Sequence, residues 1–174
     1  MRVIAGELRS RVLKTLPGLS TRPTPDRLRE SLFNILAPRI EGVTFLDAYA
    51  GSGAVGIEAI SRGAAKAFFV ERSRAAVEVI RENLHSLDIE SRAEVFTSKA
   101  SIVLARLDVD IVFLDPPYEL AKEYEQSMEL LSERNNQLVI AQHASRFALA
   151  DAYGTLRRTR VVKQGDNSLS FYDR

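Results

Sequence analysis

Leu46-Asp47-Ala48-Tyr49-Ala50-Gly51-Ser52-Gly53-Ala54-Val55-Gly56 is the stretch on which the reading of the fold turns. Val43–Asp47 reads as a buried strand, and Gly53–Arg62 as the helix that follows it. Between them Gly51, Gly53 and Gly56 match GxGxxG, a turn that opens a helix beneath a nucleotide-like ligand. Glu71 lies twenty residues past Gly51, at the end of the next strand, where an acid that accepts from ribose hydroxyls belongs. Spacing alone fits NAD as well as S-adenosylmethionine. Asp47 separates the two. A carboxylate four residues before Gly51 repels a pyrophosphate, whereas it attracts the cationic amine of S-adenosylmethionine. The glycines let the backbone approach the methionyl part closely.

From this stretch the pattern continues as alternating strands and helices. Strands are expected at 66–70, 93–97, 109–114 and 137–142. Helices are expected at 100–107 and 121–133, and another follows Ser73, which can cap it, with Val77, Ile80, Leu84 and Leu87 at helical spacing. Such alternation predicts a parallel sheet covered on both faces. The tail differs: Leu156–Lys163 and Ser168–Tyr172 flank Gly165-Asp166-Asn167, which reads as a hairpin turn. Upstream, residues 2–16 read as two short strands with a basic tip and 17–25 as a loop. A helix is expected from Thr24, with Thr24 as N-cap, Pro25 at the first helical position, and an end at Pro38.

Asp115-Pro116-Pro117-Tyr118 follows the apolar run 109–114, so it sits at a strand's C-terminal end, where open α/β sheets place their chemistry. The parts suit holding a planar exocyclic amine. Asp115 offers carboxylate oxygens, Pro116 a carbonyl on a stiff backbone, and Tyr118 a flat face for stacking on a base.

With 174 residues the chain is expected to be one domain: a basic arm and helix over 1–39, and a catalytic core over 40–174. The sequence has no cysteine, which excludes thiolate catalysis and cysteine-ligated zinc. His85 and His143 are far apart in sequence and suggest no metal centre. No apolar run spans a membrane, and the first residues lack a signal peptide's apolar segment. The expectation is a cytoplasmic monomer without a metal. The net charge is only +1, but eight basic residues in 1–39 (Arg2, Arg9, Arg11, Lys14, Arg22, Arg27, Arg29, Arg39) face three acids (Glu7, Asp26, Glu30). A basic arm on a mildly acidic body suggests contact with nucleic acid.

In these motifs the chain resembles the class I, Rossmann-like S-adenosylmethionine-dependent methyltransferases, and within them the RsmD family. The resemblance rests on Thr21-Arg22-Pro23-Thr24-Pro25-Asp26-Arg27, on Leu46 to Gly53, on Phe69-Val70-Glu71 and on Asp115 to Tyr118. It implies a seven-stranded, mostly parallel sheet with an antiparallel last strand, in agreement with the hairpin read from the tail. It implies methylation of a guanine N2 amine in 16S ribosomal RNA, with the 30S subunit or an assembly intermediate as partner. It implies that Asp47, Gly51 and Gly53 line the methionyl pocket, that Glu71 holds the ribose, and that Ala100 lies beside adenine. Thr24 falls near the cofactor's carboxylate, Asp115 and Pro116 hold the target amine, and Tyr118 stacks. Arg9, Arg11, Arg22 and Arg27 are the candidate RNA contacts. Two positions depart from the family pattern: Ser10 stands where Arg-Gly-Arg has glycine, and Lys99 where many methyltransferases carry Asp or Asn. The alternatives are a DNA adenine-N6 methyltransferase, a protein glutamine methyltransferase, an NAD-dependent oxidoreductase and a non-catalytic RNA-binding module.

Overall fold

The computed structural model describes residues 1–18, 24–117, 121–135 and 138–174. Five strands run parallel: β1 (Thr44–Asp47), β2 (Lys66–Glu71), β3 (Ala93–Thr97), β4 (Ile111–Leu114) and β5 (Leu138–Ala144). Three more, β6 (Ala152–Tyr153), β7 (Leu156–Gln164) and β8 (Asn167–Asp173), complete one eight-stranded sheet in the order β3-β2-β1-β4-β5-β8-β7-β6. The last strand, β8, inserts antiparallel between β5 and β7. This is the Rossmann-like class I architecture expected from the sequence, with the two-residue β6 added at one edge. The tail hairpin turns on Gly165 and Asp166 alone, since Gln164 already pairs with Asn167.

Helices α1 (Asp26–Leu36), α2 (Ala54–Ser61) and α3 (Arg74–Ser86) cover one face of the sheet, and α4 (Ala100–Leu104) and α5 (Ala121–Ser132) the other. Strand alternation sorts the core accordingly. Phe45, Ile111, Phe113, Leu138 and Ile140 pack under α1, while Leu46, Val112, Leu114 and Val139 pack under α4 and α5. Ser73 caps α3 as expected, its hydroxyl accepting the Ala76 N–H at 3.3 Å. Among the described residues no helix is long and apolar enough to cross a membrane.

Two expectations are corrected. Thr24 does not cap α1: Pro25 holds the N-cap position without a side-chain cap, and the Thr24 hydroxyl lies 3.5 Å from Asp115 Oδ2 instead. Residues 2–16 do not form two strands but a single bridge, Arg2 with Val12. Backbone bonds join the arm's two limbs, Val3 N–H to the Arg11 carbonyl, Ser10 N–H to Val3 and Leu13 N–H to Met1, while the other arm N–H groups named next find side-chain acceptors on the core. Ile4 and Ala5 donate to Glu58 at 2.9 and 3.0 Å, Leu8 donates to Ser61 Oγ at 3.0 Å, and Lys14 donates to Asn83 Oδ1 at 2.8 Å. At the tip, Ser10 takes the left-handed conformation (φ 67°) that glycine adopts without strain.

Glu58 is fully buried and is the centre of this attachment. Besides the two arm amides it accepts Arg62 Nε at 2.9 Å, and its Oε2 lies 3.8 Å from Nε of Arg29, which is also fully buried. Burial pulls the Arg29 guanidinium below its ordinary pKa, and Glu58 and Asp26 pull it back up. Arg29 in turn donates to the Arg2 carbonyl at 2.6 Å. Removing Glu58 leaves two amides without an acceptor and the buried Arg29 with only Asp26, 3.2 Å away, as a carboxylate partner, a change that costs about 3–5 kcal/mol. Glu58→Ala is expected to lower the melting temperature by about 10 °C, at roughly 2–4 °C per kcal/mol for a domain of this size, and to expose residues 1–16 to protease. Calorimetry and limited proteolysis check both; an unchanged cleavage pattern would show that the arm is held elsewhere.

Candidate active site

The C-terminal ends of β1, β2 and β4 open onto a cleft of about 690 Å³. Its walls include Asp47, Gly51, Glu71, Ala100, Asp115, Pro116 and Thr24, which the sequence places at distant positions and the fold brings together. Gly53 lies beneath this wall as the N-cap of α2, with φ 86°. Gly56, the last glycine of the fingerprint, permits the helix to lie on the sheet: a Cβ there would come within 2.3 Å of Phe69 Cε1.

Asp47 is 2% exposed. Its Oδ2 accepts the Gly56 N–H at 3.1 Å, so a carboxylate takes the helix N-terminal position that a phosphate occupies in dinucleotide sites. Asp47 therefore caps α2 from outside the helix and also presents negative charge to the cleft, an arrangement that disfavours NAD. Burial pushes its carboxyl up to about 7, against the Gly56 and Tyr49 amides that favour the ion, with Glu71 adding repulsion.

Glu71 accepts the Gly51 N–H at 3.0 Å through Oε2 and the Ser73 N–H at 2.8 Å through Oε1. Each oxygen keeps a further lone pair, enough to accept from two vicinal hydroxyls. Ala100 is the first residue of α4, so its N–H has no intrahelical acceptor. Lys99 precedes it on the cleft wall without capping the helix.

Asp115 is partly accessible from the cleft. Its carboxyl is also pushed up to about 7, by burial first and by Asp47 second, while the Thr24 hydroxyl lowers it. Two carboxylates thus share one poorly solvated wall, and a cation between them relieves both.

Of the remaining candidates, Tyr118 and Arg22 lie outside the described residues. Arg9, Arg11 and Arg27 are exposed. Arg11 is tied to α3, donating to the Ser86 carbonyl at 2.8 Å. Two further residues shape the cleft. Tyr49, hydrogen-bonded to Ser127 at 3.1 Å, lines its wall. Asn83, 1% exposed, donates through Nδ2 to the carbonyls of Lys14 and Ser52, each at 3.0 Å. It fastens the arm to the glycine loop. Its one trace in the sequence is a polar side chain on the apolar stripe of α3, between Ile80 and Leu84.

A raised carboxyl pKa has a definite sign. Between the ordinary carboxylate range and about 7 the folded protein holds a proton that the unfolded chain releases, so stability falls as pH rises through that window. Asp47→Asn abolishes that loss and keeps an oxygen for Gly56. The ligand-free variant is expected to melt higher than wild type at pH 8 and nearly level with it at pH 4, while losing affinity for a cationic ligand. Scanning calorimetry at the two pH values checks this; a lower melting point at pH 8 would mean that the charge stabilises the fold.

The family model described as "Conserved hypothetical protein 95" matches residues 1–173. A Bacillus subtilis (strain 168) protein named "Putative rRNA methyltransferase YlbH" is 35% identical over 99% of this chain and 98% of its own length. "Ribosomal RNA small subunit methyltransferase D" of Haemophilus influenzae is 40% identical, over 78% of this chain and 72% of its own. The solved "Putative methyltransferase yhhF from Escherichia coli" superposes with a TM-score of 0.88 at 33% identity, covering 100% of this chain and 97% of that one. With cleft, sheet order and sequence in agreement over its whole length, the chain belongs to the RsmD family of Rossmann-like methyltransferases.

Proposed function

We propose that this protein transfers a methyl group from S-adenosylmethionine to the exocyclic N2 amine of a guanine in 16S ribosomal RNA. The observation that carries the reading is the pairing of Asp115 and Pro116, at the end of β4, with a cleft whose walls carry Asp47 and Glu71. The names of the relatives support ribosomal RNA as the substrate. The arrangement of acceptors around an amine supports the chemistry.

The donor set fits the cofactor. Asp47 would face its cationic amine, Glu71 its ribose hydroxyls, and the Ala100 N–H its adenine. When bound, S-adenosylmethionine supplies an electrophilic methyl on a sulfonium. The amine of guanine is a weak nucleophile because its lone pair is delocalised into the ring. The protein's task is chiefly to orient it. Asp115 and the Pro116 carbonyl each accept one N–H, which turns the lone pair toward the methyl and stabilises positive charge growing on nitrogen. Thr24, 3.5 Å from Asp115 Oδ2, keeps that carboxylate turned toward the cleft. Tyr118 stacks on the base once it leaves its helix or loop, at a cost of a few kcal/mol that is least in exposed RNA. Arg9 and Arg27, both exposed, and Arg22 supply phosphate contacts.

Labelled S-adenosylmethionine offered to unmodified 30S subunits, naked 16S RNA and double-stranded DNA, with nucleosides resolved by mass spectrometry, tests this directly. Label is expected in N2-methylguanosine from RNA; label in N6-methyladenine from DNA would overturn the substrate. Asp115→Ala is expected to lose turnover by about 10²-fold or more while binding the cofactor with little change. An ionised Asp115 accepts more strongly than a protonated one, so the rate is expected to rise with pH through the range in which this carboxyl, raised by burial and by Asp47, loses its proton. A flat profile between pH 5 and 8, with chemistry rate-limiting, would remove Asp115 from the mechanism.

A further inference from the structure

The sheet face under α1 ends in a row of polar side chains, of which the chemistry above uses two. Phe45 of β1 and Phe113 of β4 pack under α1, so the alternation of side chains puts Asp47 and Asp115 on that same face. Leu138 and Ile140 of β5 pack there too, and the next position of the same parity is Gln142. β4 and β5 pair with Leu114 beside Ala141, which brings Asp115 level with Gln142 on the neighbouring strand. Gln142 is 2% exposed, and its side-chain Oε1 has no hydrogen-bond donor among the described residues. Its main-chain carbonyl is separately engaged, accepting the Tyr124 hydroxyl at 2.5 Å. A buried amide oxygen without a donor destabilises the fold, and native structures rarely keep one without a use.

We propose that Gln142 reads the Watson–Crick edge of the target base, its Oε1 accepting the guanine N1–H while Asp115 and Pro116 hold the adjacent N2 amine. The inference rests on the guanine-N2 reading and assigns that site its base selectivity. Guanine carries a donor, N1–H, next to its amine; adenine carries an acceptor nitrogen next to its own. An oxygen acceptor at this place pairs with the first and opposes the second, and a site built to bond one pattern discriminates strongly against the other. Neighbouring strands lie about 4.8 Å apart, so Gln142 stands one strand beyond the cleft wall that Asp115, Pro116 and Pro117 form and that it does not itself line, and its amide must turn into the cleft to meet the base. The sheet order β1, β4, β5 then sets out the cofactor's amine, the reacting amine and the reading edge in sequence. A neutral amide suits the position, because a carboxylate there would add a third negative charge beside Asp47 and Asp115.

The test uses the full chain with Gln142→Met, which removes the amide and keeps the length. The readouts are melting temperature, S-adenosylmethionine affinity and single-turnover methyl transfer to the unmodified 30S subunit or RNA. The expected result is a melting temperature equal to or above wild type, unchanged cofactor affinity, and a rate reduced about tenfold or more. Substrate carrying 2-aminopurine at the mapped nucleotide keeps the amine but lacks N1–H. It is expected to slow the wild type by a similar factor and to slow Gln142→Met no further. A lowered melting temperature with an unchanged rate would assign Gln142 a structural role and overturn the proposal, as would equal slowing of both proteins by 2-aminopurine. A wild-type protein that labels a different base overturns the guanine reading itself, visibly and before any variant is compared.

Discussion

Between β1 and α2, Asp47 Oδ2 accepts the Gly56 N–H in a place almost closed to water. A charge held there is costly unless something offsets it. The helix N-terminus offsets part through its oriented amides, and a cationic ligand offsets more. The geometry around Asp47 follows from this constraint. Gly53 must take a left-handed conformation for α2 to start under the carboxylate, and Gly56 must lack a side chain for the helix to lie against Phe69. Asp115, the second carboxylate of the wall, feels the first. A pair of carboxylates in poor solvation costs the fold stability, and a cation held between them would offset that cost.

The arm is held by a different principle. The backbone amides of Ile4, Ala5, Leu8 and Lys14 are satisfied by Glu58, Ser61 and Asn83, three side chains that α2 and α3 bury on their inner faces. Asn83 reaches both the arm and the Ser52 carbonyl in the glycine loop, so the N-terminal segment and that loop share one clamp. Thr15 and Leu16, just beyond that clamp, contribute to the cleft wall. The arm is thus part of the site's architecture.

How much of this could be read in advance depends on the range of the interaction. The central strands were legible because β4 and β5 are buried on both sides and appear as apolar runs. The cleft was legible because the C-terminal strand ends, a glycine turn and acids at fixed spacing fall on one edge of a parallel sheet, where Asp47, Gly51, Glu71 and Asp115 now line one wall. Thr24 misled because its sequence neighbours, Pro25 and Asp26, favour a cap, whereas its hydroxyl faces Asp115, ninety-one positions away. The arm's two strands were legible only in part: Val3, Ser10 and Leu13 do bond across the arm, but the acceptors that claim the amides of Ile4, Ala5, Leu8 and Lys14 belong to another part of the chain. Gln142 left no signal, because an amide in an apolar strand acquires meaning only when register sets it level with Asp115.

The long strand β7 is nearly an outer edge of the sheet, since β6 pairs with only Leu156 and Arg157. Beyond them lie Arg160, Val161 and Lys163, all exposed, and the pairing of β7 with β8 is interrupted between Arg158 and Arg160. An uncovered edge invites another chain's strand to join it. Here two cations and an irregular register oppose that addition, with the exposed Val161 between them. Because such repulsion is screened by ions, the barrier to strand addition at this edge falls as salt rises, and it lies at β7, far along the sheet from the cleft at the ends of β1 and β4.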